Sequence, residues 1–389
     1  MAFAPPTECQ VTGAWPLETV VARRASKKGK GREGEVELAL AMPEAFFQDK
    51  DFLNGRWAHK RVYWLGVVGK ELKKHAKKLG LGAIEWRVED GAEWAPKLVV
   101  RSTADGSATD FSRLALSIVL SPVVPPSLFP TSKLSPLRNA LRPPASGAAD
   151  LPPPPTPKYN AALLAQSLAP ARLLYLHALS NALPAFKDAS LLLQQWGAKR
   201  GLGSAVPFGS PSAGWREFVE LVLGFLVFGG EVLPRAGGTG KPAAAGRKIG
   251  KGMSSYQVLR AVLDFLSHTA FASSAVFLAP HAKGAGGAGR IVPIAKDEFV
   301  AAEGDGGVLV GPEGTVNVLT GVEPGVLALV AREAKGTLDL LDSDAGLEGE
   351  GEEIFERVFL RGGEVAEEKF DVVFRWVQCS FLPRPGFGS

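Results

Sequence analysis

The sequence predicts an α+β protein, a first domain of mixed strands and one long helix followed by a mostly helical domain. Three observations lead there. Residues 1–142 carry several short runs with strand-like alternation around one long stretch of helical period. Residues 158–345 read mostly as helix, with apolar residues recurring at three, four and seven. Between them, 143–157 (PPASGAADLPPPPTP) is a linker by composition, because clustered prolines cannot continue a helix or a central strand and stiffen the chain.

In the first part, a short strand ends at Thr12-Gly13, and a Gly/Lys/Arg-rich loop, Arg23 to Gly34, follows. Glu35 to Met42 (EVELALAM) alternates acidic and apolar residues with period two and ends at Pro43. Asp51 to Leu79 is expected as one helix, with Leu53, Trp57, Trp64, Val68, Leu72 and Leu79 on one face. Ala83–Val88, Lys97–Arg101 and Phe111–Leu120 are expected strands. In the second part the expected helices are Tyr159–Ser180, Ala185–Lys199, Trp215–Phe228, Ser254–Phe271 and Val326–Leu341. Gly307–Leu319 (GVLVGPEGTVNVL) reads as strand, turn and strand. Ile354–Leu360 and Phe370–Val377 begin a structure that the chain does not finish.

Composition narrows the function classes. Two cysteines, Cys9 and Cys379, exclude a disulfide framework and any zinc site of several thiolates, and a reducing compartment is the natural reading. Met1 to Gln10 lacks the pattern of a secretory signal. The most apolar stretch, Phe218 to Phe228, is too short for a bilayer and holds Glu220, so no membrane partner is expected. Lys and Arg exceed Asp and Glu by 14 over residues 1–299 and fall short by 10 over 300–389. A basic body with an acidic tail suggests partners of both signs, without separating nucleic acid from protein.

Most short motifs reduce to loops. Gly29-x-Gly31-x-x-Gly34 and Gly284-x-Gly286-x-x-Gly289 are followed by strand-like residues, where a dinucleotide site needs a helix. Gly240-Lys241 lacks the spacing glycine of a phosphate loop, and Pro242 stands in place of its Ser or Thr. The histidines His59, His75, His177, His268 and His281 lack metal-ligand spacing, so no metal site is expected. The informative constellation is Gly13-Ala14 ahead of the Glu35–Met42 strand. Nucleotidyltransferases of the polymerase β type use a Gly-Ser turn followed by an acid-x-acid pair on the next strand. A spacing of two puts both carboxylates on one face, where they can bridge two magnesium ions. Here Ala14 replaces the serine, Glu37 stands as the first acid and Ala39 as the second. In Phe111–Leu120, where a third acid is expected, Arg113 and Ala115 stand and no acid is found. The remaining catalytic option pairs Glu35 with Glu37.

These residues resemble the nucleolar RNA-associated protein family, Nrap. The likeness is carried by Thr12-Gly13-Ala14-Trp15 with Thr19, by Val36 to Leu65, and by Pro136 to Arg142. It continues through Thr156 to Asn160, Ala185 to Ser204, Met253 to Leu266 and Gly311 to Leu319, and covers most of the chain in order. The resemblance implies a degenerate nucleotidyltransferase-like domain over 1–142, shortened at its start. The linker 143–157 would lead to a helical domain like that of poly(A) polymerase and oligoadenylate synthetase over 158–345. An incomplete third domain would occupy 346–389.

It also implies a role: a nucleolar, non-catalytic scaffold of the small-subunit processome, which matures the 18S rRNA precursor. Partners would be other processome proteins and pre-rRNA, with no cofactor and no small-molecule substrate. The nucleic-acid candidates are the cations of the basic helix, Lys60, Arg61, Lys73, Lys74, Lys77 and Lys78, against the commoner alternative of a solvated face. Arg23–Arg32 is a nuclear-import signal or a plain polar loop. Two other readings stay open: an active magnesium-dependent nucleotidyltransferase, and a protein-interaction module working through the acidic tail.

Overall fold

In the computed structural model, the structure describes residues 3–24, 32–89, 92–103, 110–126, 128–142, 153–202, 210, 213–235, 243–245, 249–271, 273–280, 292–304, 306–342 and 355–360. Most of the Arg23–Arg32 run, most of the linker, Gly240-Lys241, the second glycine-rich match, His281 and everything after 360, with Phe370–Val377 and Cys379, lie outside the described residues.

In chain order the first part holds β1 (Glu8–Thr12), β2 (Arg23–Arg24), β3 (Arg32–Ala41), α1 (Arg56–His75), β4 (Leu81–Arg87), β5 (Lys97–Ser102) and β6 (Leu116–Val123). They form one mixed sheet in the order β1-β3-β6-β5-β4, with β2 pairing only the start of β3. β3 runs parallel to β6, and the other pairings are antiparallel. α1 covers one face of the sheet: Trp57, Trp64 and Leu65 are buried, and a Cβ on Gly69 would come within 3.0 Å of Leu98. The second part holds α2 (Pro157–Ala165), α3 (Ala169–Ala182), α4 (Phe186–Lys199), α5 (Trp215–Phe228), β7 (Gly230–Pro234), β8 (Ala243–Ala245), α6 (Ser255–His268), β9 (Ser274–Leu278), α7 (Lys296–Ala302), β10 (Val308–Val310) and α8 (Pro324–Asp342). Its strands make a second sheet in the order β10-β9-β7-β8.

The departures from expectation have local causes. α1 starts at Arg56 rather than Asp51, because Asn54 and Gly55 take left-handed backbone (φ 54° and 72°) that breaks a helix. Lys77 and Lys78 lie in the turn after α1, not on it. The strand expected from Phe111 begins at Leu116, after a 3-10 turn ended by left-handed Ala115 (φ 48°). Arg113 and Ala115 therefore precede the strand instead of occupying its acid positions. The helix expected over Tyr159–Ser180 is two, with Pro170 in the first turn of the second, where its missing N–H costs nothing. Gly307–Leu319 gives one strand, and only an isolated bridge joins Val310 to Asn317. The Asn317 side chain stands in for a second ladder: it accepts from the amides of Leu309 (2.8 Å) and Leu319 (3.0 Å) and donates to Gly307 O (2.9 Å).

Two apolar cores result, and the second sheet lies between them. Along β9, Ala275 and Phe277 join the core under the first sheet, with Met42, Trp57, Leu98 and Leu120. Val276 and Leu278 join the helical core of Phe186, Trp196, Phe218, Phe225 and Val262. Period-two alternation thus puts one strand into both cores. Val358 and Phe359 are buried in the helical core, and Gln195 of α4 and Arg200, just after it, donate to the carbonyls of Phe359 and Val358. Residues 355–360, expected in a third domain, thus pack with the second.

α2 also ties the parts together. The Tyr159 hydroxyl accepts from the Gly55 amide at 2.9 Å and donates to Phe52 O at 2.7 Å, and the ring meets Trp94 edge-on. Tyr159→Phe leaves that amide and carbonyl without a partner while keeping the ring. A loss of about 1–3 kcal/mol in urea unfolding is expected; an unchanged midpoint would contradict it.

Candidate functional site

The residues singled out around Gly13 do come together, at the face of the first sheet opposite α1. β1 ends at Thr12, which is paired with Glu37 across the β1–β3 ladder. Gly13 then turns with φ 74°, and a Cβ there would stand 3.1 Å from Glu37 Oε2. Both the left-handed backbone and the close approach require glycine. Ala14 follows and offers only a methyl group, its carbonyl accepting from the amides of Leu17 and Thr19. Ala39 is buried beside Ser121, its partner on β6. With the register fixed, the β6 residues on the Glu37 face are Ser117, Val119, Ser121 and Val123. None is an acid.

Cations neutralise the carboxylates on this face. Lys97, at the start of β5, places its Nζ 2.9 Å from Glu37 Oε1 and 3.6 Å from Glu89. Glu35 is clamped by Arg87, and Glu33 by Arg101, which also reaches Glu85 at 2.7 Å. Burial alone would raise the Glu37 carboxyl, but Lys97, with Arg216 further off, holds it below the usual carboxylate range. Burial likewise opposes the charge of Lys97, and Glu37 and Glu89 overcome it and raise its pKa. The salvage pair Glu35 and Glu37 is therefore two carboxylates each neutralised by its own neighbouring side chain. These residues do not fit a two-metal centre, and among the described residues no group of three or more His, Cys, Asp or Glu could hold a metal ion.

The facing wall comes from the first turn of α5. Arg216 pairs with Glu217 and, at 2.9 Å, with Glu220. Burial opposes ionisation of Glu217, yet Arg216 chiefly, with Lys97 and Arg172, holds its pKa down at about 2. Glu220 is fully buried in the middle of an apolar helix, and burial raises its pKa. It accepts from Thr19 and Ser190 at 3.2 Å each, joining the segment after the glycine turn to α4. Gln194 of α4 donates to Thr19 O at 3.1 Å, and Lys187 pairs with Glu18. A chain of charges thus runs from β5 through Glu37 to α5.

The cations expected on the basic helix divide by burial. Arg61 does not face solvent. It is fully buried and donates to Pro122 O and Pro96 O, at the adjoining ends of β6 and β5, and burial pushes its pKa down to about 9. Lys60 is largely covered, paired with Asp51 and donating to Phe46 O at 3.0 Å. Lys73, Lys74, Lys77 and Lys78 are exposed. Sequence reasoning missed Lys97, Arg216 and Glu217. A trace existed in β5, where Lys97 and Arg101 alternate with apolar residues, and Glu220 inside an apolar run already signalled a buried, partnered charge.

A glycine turn set against an acid-bearing strand, beneath a largely helical lobe, defines a two-part protein of nucleotidyltransferase-like architecture with an incomplete acid set. The chain belongs to the Nrap family: Nrap protein domain 1 matches residues 1–182, and the Nrap protein PAP/OAS-like domain matches residues 185–361. The two matches meet between α3 and α4. Among curated relatives, Nucleolar protein 6 of Homo sapiens is 29% identical over 69% of this chain and 20% of its own length. Nucleolar protein 6 of Xenopus laevis is 27% identical over 88% of the chain and 26% of its own. U3 small nucleolar RNA-associated protein 22 of Saccharomyces cerevisiae is 28% identical over 60% and 18%. The chain thus spans about a quarter or less of the relatives it matches, whose names place the family in the nucleolus. A solved Cid1 poly(U) polymerase, bound to MgGTP, is similar over 89% of this chain and 85% of its own at 13% identity and TM-score 0.46. Among the described residues no helix is long and apolar enough to cross a membrane.

Proposed function

We propose that this chain is a non-catalytic scaffold part of the small-subunit processome, acting in nucleolar ribosome biogenesis through contacts with assembly factors and pre-rRNA. The observation that carries the non-catalytic reading is the Glu37–Lys97 ion pair at 2.9 Å, beside Ala39 and opposite a β6 face without an acid. A carboxylate already neutralised by a side chain, with no second acid two residues on, does not gather two magnesium ions. The role in ribosome biogenesis is supported by the family and by the names of the relatives. RNA contact is assigned to the exposed lysines Lys73, Lys74, Lys77 and Lys78, each phosphate contact adding salt-dependent affinity. No cofactor and no small-molecule substrate enter this function.

Two measurements test the reading. Incubated with labelled nucleotides, an RNA primer and magnesium or manganese, the chain is expected to incorporate nothing. Incorporation that Glu37→Gln abolishes would establish the alternative, a metal-dependent nucleotidyltransferase using Glu35 and Glu37. The tagged chain, recovered from nuclear extract, is expected to enrich the 18S rRNA precursor together with small-subunit assembly factors. Recovery of neither would remove the scaffold role from this part of the protein.

A further inference from the structure

We propose that the outer edge of β4, with the flank of α1 beside it, is a docking site for an extended acidic segment of a partner protein, added to the first sheet as a further strand. The inference goes beyond the scaffold reading by naming a surface and the chemistry of its partner, and it does not depend on the state of the Glu37 site.

β4 closes one end of the sheet, and among the described residues no strand pairs with its outer edge. A register shift lies between Leu81 and Ile84; from Ile84 to Arg87 the pairing with β5 is regular, so this stretch offers an ordered row of backbone groups. Of its two faces, the one carrying Glu85 and Arg87 is occupied by ion pairs with Arg101 and Glu35. The other carries Ile84 and Trp86, followed past the strand's end by Val88, with no charge. Trp86 is 49% exposed and Val88 55%, unusual for an edge that is guarded against pairing.

α1 frames this edge. A Cβ on Gly66 would come to 4.0 Å from the Trp86 ring, so the indole lies against the helix at that glycine. Val62, Gly66, Lys70 and Lys73 share that flank by their spacing of four, four and three. Val62 is exposed, and Lys70 and Lys73 are exposed with no carboxylate partner among the described residues. Because α1 passes through one turn directly into β4, helix and strand run in opposite directions. Val62 thus lies toward the Val88 end, and the lysines toward the Leu81 end. An added strand would meet apolar side chains at one end and ammonium groups at the other, which fits an apolar-to-acidic peptide. A strand edge presents amides and carbonyls at the spacing of another polypeptide backbone. An RNA could use the lysines but would leave that row to water.

The test uses the full chain and three probes: a labelled decapeptide of five valines followed by five glutamates, the same peptide with alternate backbone nitrogens methylated, and decauridine. Binding is read by fluorescence anisotropy, and site occupancy by amide hydrogen exchange over residues 84–88. The plain peptide is expected to bind and to slow exchange there. Methylation is expected to weaken it about tenfold or more, since it removes strand pairing but not side-chain contact. Trp86→Ala should weaken binding about tenfold, and Lys70→Glu with Lys73→Glu about fivefold, with a marked salt dependence. The lysine pair is solvent-exposed, so its result stands even if Trp86→Ala folds poorly. Equal binding of the methylated peptide, or no binding of the plain one, overturns the proposal. So does protection of the β4 amides by decauridine alone.

Discussion

Arg61→Ala is expected to destabilise the chain by about 3–5 kcal/mol, whatever it does to RNA affinity. The guanidinium holds the carbonyls of Pro122 and Pro96, and its removal strands both beneath α1 and opens a cavity beside Trp57 and Trp64. Arg61→Met, which keeps most of the volume and none of the donors, should recover part of the loss and separate packing from hydrogen bonding. Chemical unfolding of both variants reads the effect. A fully stable Arg61→Ala chain with selectively weakened RNA binding would return Arg61 to the nucleic-acid surface.

Lys97→Glu is expected to cost about 2–4 kcal/mol at neutral pH, since it sets a third carboxylate against Glu37 and Glu89 where a cation stood. The pH dependence should change sign. In the unmodified chain Glu37 is held below its usual value of 4.5, so its stabilisation is present above that pH and lost as pH falls through the folded value. Lys97, held above its usual 10.5, contributes below that pH and loses its share as pH climbs through its folded value. In the variant the clustered carboxylates resist ionisation, so acidification from neutral pH should stabilise it. Millimolar magnesium should also restore part of the loss, because the new acid cluster gains a divalent counter-ion. A variant as stable as the parent at pH 7, and indifferent to magnesium, would show that Lys97 is not holding this site together.

Much of this was legible in the sequence because it rests on local signals. The glycine turn, the alternating β3 and the apolar α5 follow from residue chemistry over a few positions; the turn and α5 lie where they were expected, and β3 covers the expected strand but starts three residues earlier, at Arg32, inside the expected loop. What could not be read depends on register and on residues distant in sequence. Lys97 meets Glu37 only because β5 and β3 flank β6 in the sheet order. Arg61 reads as one more cation of a basic helix until its angular position, beside Trp57 and Trp64, turns it inward. Apart from β10, which falls in the expected Gly307–Leu319 strand, the second sheet was not legible because its strands are three to five residues long, and a run such as Ser274–Leu278 (SAVFL) is equally a buried helix segment by periodicity.

The strand that feeds both cores has a mechanical consequence. Two lobes can swing apart only if the surface between them can be wetted and re-closed. Here parting would uncover Phe277 on one side of β9 or Val276 on the other, exposing core-grade apolar area. The two parts should therefore behave as one cooperative body, melting in a single calorimetric transition despite being two domains by descent. In the proposed scaffold role such rigidity is useful. A fixed spacer that presents its outer surfaces at constant distance and angle gains from it.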